Sequence, residues 1–130
     1  MYEVAKIASK YKENIIFTGY IPNDEIAIMY HIANLQVIPS NWGEPLGNVV
    51  IEGMASGIRQ IVTRDGGITE IAQYSNSIII EKQNLKENLY EAMINCIEQK
   101  DYKRRKTDEE ILAKYSEENY SRSIFKIIKE

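Results

Sequence analysis

The chain has 130 residues, 44% of them hydrophobic and 27% charged, which fits one globular domain and excludes a disordered, collagen-like or low-complexity chain. Sixteen Lys and Arg against nineteen Asp and Glu leave a formal net charge of −3, so a nucleic-acid or anionic-membrane binder working by charge alone is not expected. One cysteine, Cys96, and one histidine, His31, leave no disulfide framework and no Cys-based or multi-histidine metal site, and a reduced, cytoplasmic setting fits.

In chain order, Val4, Ile7, Ala8 and Tyr11 recur at i, i+3, i+4 and i+7 and predict a helix over residues 2–12. The start Met1-Tyr2-Glu3-Val4-Ala5-Lys6 has no basic region followed by a long apolar core, so no signal peptide is expected. Asn14 to Gly19 reads as a short strand ended by glycine. Pro22-Asn23-Asp24 reads as a turn with an N-cap, and residues 24–33 as a helix. Leu35 to Pro39 is a second strand, residues 47–57 a helix stopped by Gly57, and Gln60–Thr63 a third strand. A short helix from Gly67 to about Tyr74 precedes a fourth strand, Ser77–Ile80. Two longer helices follow, over residues 84–99 and 107–128, the second interrupted near Tyr115-Ser116. The charged stretch from Lys100 to Glu110 reads as a solvated junction between them. No apolar run approaches the roughly 20 residues of a membrane helix.

Strands alternating with helices predict an α/β fold: a parallel sheet of about four strands with flanking helices, in one domain over residues 1–130. Ligands of such sheets bind at the carboxyl ends of the strands. Those ends carry Gly19-Tyr20-Ile21, Pro39-Ser40-Asn41-Trp42-Gly43-Glu44 and Thr63-Arg64-Asp65-Gly66-Gly67, rich in glycine, hydroxyls and charge. The densest stretch runs from Pro39 to Gly57. A strand gives way to a loop with two glycines and a proline, and a helix starts near Gly47. Free N–H groups and the dipole at a helix start favour an anion, by about 0.3–1 kcal/mol from the dipole alone. Gly47, without a Cβ, would let a phosphate approach the backbone; a plain strand-to-helix connection capped by Gly47 and Asn48 explains the same residues. Glu44 in the loop and Glu52 just over one turn into the helix add two carboxylates that can border one crevice. A hydrogen bond to a charged group is worth about 1.5–3 kcal/mol, so the pair suits hydroxyls on both sides of a phosphate. A nucleoside diphosphate sugar has that form.

Glu44 to Glu52 resembles the E-x7-E motif of retaining glycosyltransferases of the GT-B fold, above all the group 1 family, also called family 4. Asn14 to Ile21 is similar to that family's strand with a phenylalanine and a glycine. Tyr30, Ala33-Asn34 and Val37-Ile38-Pro39-Ser40 are similar to its "Y…AD…PS" stretch, with Asn34 where aspartate is usual. Met54-Ala55-Ser56-Gly57 and Gly66-Gly67-Ile68-Thr69-Glu70 resemble its "AMA-G" and "GG-PE" elements. The likeness runs from about residue 14 to 82. Arg59 and Thr69 stand where proline is usual, and Gln60 where an apolar residue is usual.

The resemblance implies a Rossmann-like C-terminal donor-binding domain, present in part. The acceptor-binding domain, the first two strands of the donor domain and the basic R-x4-K loop of the family are not matched here. Strand order 3-2-1-4-5-6 would then leave a gap between Ile15–Thr18 and Leu35–Ile38. Either these strands pair directly, or another copy or the unmatched part fills the gap; an open edge predicts a dimer or poor solubility. By the resemblance, Glu44 holds donor-sugar hydroxyls near the reacting carbon and Glu52 the ribose hydroxyls. Leu46, Gly47, Asn48 and Val49 offer backbone N–H groups to the diphosphate, and Gly19, Tyr20 and Ile21 border the base. No metal and no cofactor are expected beyond the donor, a nucleotide-sugar of the UDP type. The acceptor would be a saccharide or lipid-linked, in surface polysaccharide synthesis, with the isolated chain inactive. The alternatives are a non-catalytic nucleotide-binding or interaction module of the same fold, or an α/β domain without a nucleotide role. Arg64 reads as a surface ion-pair partner or a phosphate contact, Trp42 as a wall or anchor of the loop, and Cys96 as core.

Overall fold

The computed structural model describes residues 6–11, 13–107, 109–116, 118 and 119. Strands β1 (Leu35–Ile38), β2 (Arg59–Thr63) and β3 (Ser77–Ile80) form one parallel sheet in that order. The helices that connect and follow them are α1 (Asn23–Ile32), α2 (Asn48–Ser56), α3 (Gly66–Ala72), α4 (Leu85–Glu98) and α5 (Glu109–Lys114). The α/β class expected from the alternating pattern is the observed one. No helix among the described residues is long and apolar enough to cross a membrane.

Side chains alternate across a strand, so in-register residues share a face. Ile38, Val62 and Ile79 are in register and lie on one face. There they pack with Val50 and Met54 of α2 and with Ile68, Ile71 and Ala72 of α3. Val37, Ile61 and Ile78 make the next row on the opposite face, against Ala92, Met93 and Cys96 of α4. Strands buried on both faces need no polar alternation, which is why Ile78-Ile79-Ile80 can be continuous. One row breaks the apolar pattern. Gln36, Gln60 and Ser77 are in register across all three strands, and Gln60 is fully buried.

The strand expected over Asn14–Gly19 does not form, so the sheet has three strands among the described residues, not about four. A strand is held by a ladder of N–H and C=O bonds to a neighbour. Ile15 to Thr18 has no such neighbour, and Ile16 and Phe17 are exposed. It therefore neither pairs with β1 nor closes the sheet, and among the described residues nothing pairs with the outer edge of β1. Eleven of the fourteen exposed large apolar side chains among the described residues precede residue 50, so the uncovered apolar surface comes mainly from the first part of the chain.

The predicted helix over residues 2–12 falls partly outside the described residues. Residues 6–8 are helical, Ser9–Tyr11 form a 3-10 turn, and Ala8 is buried. α1 starts one residue earlier than expected, and no side chain caps it. The Pro22 carbonyl accepts the Glu25 and Ile26 N–H groups instead. Gly57 ends α2 in the left-handed region, as expected of a glycine stop. The last predicted helix is described over Glu109–Lys114, followed by a turn at Tyr115 and a bend at Ser116. Residues 108, 117 and 120–128 of it lie outside the described residues.

The stretch 101–107 is more than the solvated junction expected from its charge. It crosses the carboxyl ends of α1 and α2, which lead into the amino-terminal edge of the sheet. Arg104 donates to the carbonyls of Ser56 at 3.0 Å, His31 at 2.7 Å, Ala33 at 3.0 Å and Tyr30 at 2.5 Å. A guanidinium here both satisfies open helix-end carbonyls and complements two helix dipoles. The Arg105 N–H donates to Gly57 O at 3.0 Å, and the Thr107 hydroxyl to Met54 O at 2.9 Å. Arg104→Ala is expected to destabilise the chain by about 1–2 kcal/mol. Urea unfolding should show a lower midpoint at unchanged slope.

Candidate functional site

The loop between β1 and α2 carries Glu44, and the backbone conformation and contacts around it explain the glycines of this region. Gly47 sits at the N-cap of α2 with φ 64°, in the left-handed region, and no side chain caps the helix. A Cβ at Gly47 would meet Ile68 Cγ1 at 2.7 Å, so this turn is pressed onto α3. The Glu44 carbonyl accepts the Gly67 N–H at 3.1 Å. A Cβ at Gly66 would meet that same carbonyl oxygen at 2.7 Å, and one at Gly67 would overlap the Pro45 carbonyl. The Gly66-Gly67 pair is therefore the seat on which the Glu44-Pro45 peptide rests.

Asp65 fastens the seat. Its carboxylate is buried, accepts the Gly43 N–H at 2.8 Å and pairs with Lys82 Nζ at 2.6 Å. A buried carboxylate is tolerated only when it is paired and hydrogen-bonded. The Lys82 ammonium first, and then the Gly43 amide, hold its pKa below the ordinary aspartate value. Read from sequence, Asp65-Gly66-Gly67 is only a turn into a helix. The signal for more was an acidic residue directly before two glycines at a strand end, with a lysine just past the next strand.

The N–H groups of Leu46, Gly47, Asn48 and Val49 take no part in any hydrogen bond among the described residues; the first helical bonds run from Val50 and Ile51 to the Gly47 carbonyl. The start of α2 is an open set of donors, and Leu46, Asn48 and Val49 are exposed. Glu44 lies before it in the loop, half-buried, and Glu52 lies after it on the helix, exposed.

Glu52 is not a free surface carboxylate. The Tyr30 hydroxyl of α1 donates to Glu52 Oε2 at 2.6 Å. Burial, and then the Glu52 carboxylate, push the Tyr30 hydroxyl far above the usual tyrosine range, so it remains a donor at any working pH. A cleft of about 450 Å³ opens beside this pair, lined by Ile26, Ala27, His31, Ala55, Ser56 and Arg104 as well as Tyr30 and Glu52. Beneath α2, Gln36 Nε2 donates to Val49 O at 3.1 Å, and Gln60 Nε2 to Gln36 Oε1 at 2.8 Å. Gly53 makes room for this amide pair, because a Cβ there would overlap both side chains. Glycine inside a helix costs about 1 kcal/mol relative to alanine, and the space for the amides accounts for it.

Gly19, Tyr20 and Ile21 are not drawn into this arrangement. No hydrogen bond joins them to the Glu44 loop among the described residues, and Tyr20 is exposed. Arg64 pairs with Glu81 at 2.6 Å, the surface ion pair among its two readings. Trp42 is exposed, and Asp65 anchors the loop through Gly43. Cys96 is buried with the α4 face of the core.

The description "Glycosyl transferases group 1" matches residues 3–116 of the chain. YtcC of Bacillus subtilis, which carries a provisional glycosyltransferase name, is 37% identical over 79 residues, 60% of this chain and 19% of that protein. Mannosylfructose-phosphate synthase of Agrobacterium fabrum is 32% identical over 78 residues, 60% of this chain and 17% of the synthase. Spore coat protein SA of Bacillus subtilis is 31% identical over 107 residues, 81% of this chain and 26% of that protein. The chain thus spans a quarter or less of the length of most of these relatives. No solved structure matches it significantly.

The lowered Asp65 pKa has a consequence for stability. Above the ordinary aspartate value of 3.8 the contribution of this carboxylate is fully present. As pH falls through the lowered folded-state value, the unfolded chain gains its proton first and the contribution is lost. Urea midpoints measured between about pH 6 and about pH 3 should therefore fall less steeply for Asp65→Asn than for the unchanged chain.

Proposed function

The chain belongs to the group 1 glycosyltransferase family, and on that premise we propose that it is the donor-binding part of a retaining GT-B enzyme that transfers a hexose from a UDP-type nucleotide-sugar. The observation that carries this reading is the open start of α2. Four unpaired N–H groups, from Leu46 to Val49, follow the Glu44 loop and lead into the turn bearing Glu52.

The diphosphate lies against these N–H groups, where the helix dipole and the amides stabilise the charge that grows on the leaving group. Glu44 accepts hydrogen bonds from hydroxyls of the donor sugar near the reacting carbon. Glu52 accepts them from the ribose. Gly19, Tyr20 and Ile21 border the base once a donor is bound. The acceptor is a saccharide or lipid-linked, in surface polysaccharide synthesis at the inner face of the membrane. No nucleophile, metal or cofactor is assigned. The acceptor surface and a basic loop for the diphosphate come from outside these 130 residues, so the isolated chain binds donor without turnover.

The same reading accounts for the exposed apolar surface and for the β1 edge left unpaired among the described residues. The rest of a longer protein, or a second copy, covers them. Sedimentation of the isolated chain should show self-association that rises with concentration, and a monodisperse monomer at high concentration would count against an open edge.

Donor binding is tested by calorimetric titration with UDP, GDP and ADP. UDP should bind best, and Glu52→Ala should weaken it about tenfold, the loss of a hydrogen bond to a charged group. A folded chain that takes none of the three nucleotides would remove the donor-site reading. It would leave the non-catalytic interaction module, or an α/β domain without a nucleotide role.

A further inference from the structure

The in-register row Gln36–Gln60–Ser77 has no part in the donor contacts above, and it is an expensive feature. Gln60 is fully buried in the middle strand, where the neighbouring rows on both faces are apolar. An apolar residue there would pack without needing hydrogen-bond partners. The amide instead sits in a continuous chain of bonds. Ser77 Oγ donates to Gln60 Oε1 at 3.1 Å, and Gln60 Nε2 donates to Gln36 Oε1 at 2.8 Å and Val50 O at 3.3 Å. Gln36 Nε2 donates to Val49 O at 3.1 Å and, at 3.5 Å, to the Tyr30 hydroxyl. The Tyr30 hydroxyl ends the chain on Glu52 Oε2 at 2.6 Å.

The direction of these bonds is set by chemistry. The Glu52 carboxylate accepts only, so the Tyr30 hydroxyl must donate to it. The hydroxyl's lone pair is then free to accept from the Gln36 amide. With its N–H groups spent on Tyr30 and Val49, Gln36 presents its carbonyl to Gln60. Each member fixes the orientation of the next, from the far strand to an exposed carboxylate on α2. The row also bonds twice to the first turn of α2, at Val49 O and Val50 O, and Gly53 leaves the space it occupies.

We propose that Tyr30, oriented by the Gln36–Gln60–Ser77 row, is a positioning residue that holds Glu52 in one rotamer, with Oε2 occupied and Oε1 left to accept a ribose hydroxyl of the nucleotide. This rests on the donor-site reading above. Pre-orientation matters because an exposed glutamate otherwise loses side-chain freedom on binding. A relay that fixes it in advance removes that loss, and only for ligands that use the carboxylate.

The test pairs two ligands with three variants of the chain. UDP and 2′,3′-dideoxyuridine diphosphate, which lacks both ribose hydroxyls, are titrated calorimetrically into the unchanged chain, Glu52→Ala, Tyr30→Phe and Gln60→Met. Tyr30→Phe should weaken UDP about fivefold while leaving the dideoxy analogue within about twofold, and Gln60→Met should do the same to a smaller degree. Tyr30→Phe alone decides the matter if Gln60→Met does not fold. Equal weakening of both ligands would mean that Tyr30 only supports the fold, and no weakening of either would mean that it does not orient Glu52. Either result, with Glu52→Ala still selective against UDP, overturns the positioning role and spares the donor site. If the unchanged chain does not prefer UDP over the analogue, or Glu52→Ala is indifferent, the ribose role of Glu52 fails and the inference fails with it.

Discussion

The peptide at Glu44 rests on two glycines, and the local architecture of the candidate site follows from that contact. The Glu44 carbonyl takes the Gly67 N–H; a side chain at Gly66 would displace that carbonyl, and one at Gly67 would displace the Pro45 carbonyl. Asp65, directly before the glycines, reaches back to the Gly43 amide. Three consecutive residues just after β2, the N-cap and first two residues of α3, thus place the loop at the end of β1. This is a cross-strand dependence, since the loop bearing one carboxylate is shaped by the segment after the neighbouring strand. The ion pair to Lys82 extends it to the segment after β3. Backbone contacts and one buried charge therefore help tie the carboxyl edge of the sheet together.

The opposite edge is tied differently. Arg104 gathers carbonyls from the ends of α1 and α2, so the two helices that bear Tyr30 and Glu52 are fixed to each other at their carboxyl ends. Between the two edges, the α2 face of the sheet divides into an apolar row that stabilises and a polar row that orients. Ile38, Val62 and Ile79 supply burial. Gln36, Gln60 and Ser77 offer little burial energy and instead impose direction, because hydrogen bonds are angular and apolar contacts are not. A fold that spends a central, buried position on an amide gains specificity of geometry at a cost in core packing.

Much of this was legible in the amino-acid sequence, for definite reasons. β3 is a short apolar run, β2 carries Ile61 and Val62 before a turn, and α2 ends at a glycine, so their punctuation was plain. Glu44 and Glu52 stood out because charge interrupts a glycine-rich turn and an otherwise apolar helix. The stretch Ile15–Thr18 misled, because its β-forming composition is real while the neighbour that would pair with it is not among the described residues. Composition reports what a segment could do, and pairing depends on what lies beside it. Asp65 and Arg104 were undervalued for a related reason: each acts on backbone groups distant in sequence, and no local pattern announces a backbone acceptor. Gln60 was visible as a departure from the family's apolar habit. Its meaning appeared only when the register set it between Gln36 and Ser77.

The central claim is that Glu44, the open start of α2 and Glu52 act on one ligand. A crystal structure of the chain soaked with a UDP-sugar tests it most directly. The account predicts the diphosphate against the N–H groups of Leu46 to Val49, the ribose hydroxyls on Glu52 and the sugar hydroxyls on Glu44. A nucleotide lodged in the cleft beside Tyr30, His31 and Arg104, with no contact to Glu44 or to the start of α2, would contradict it.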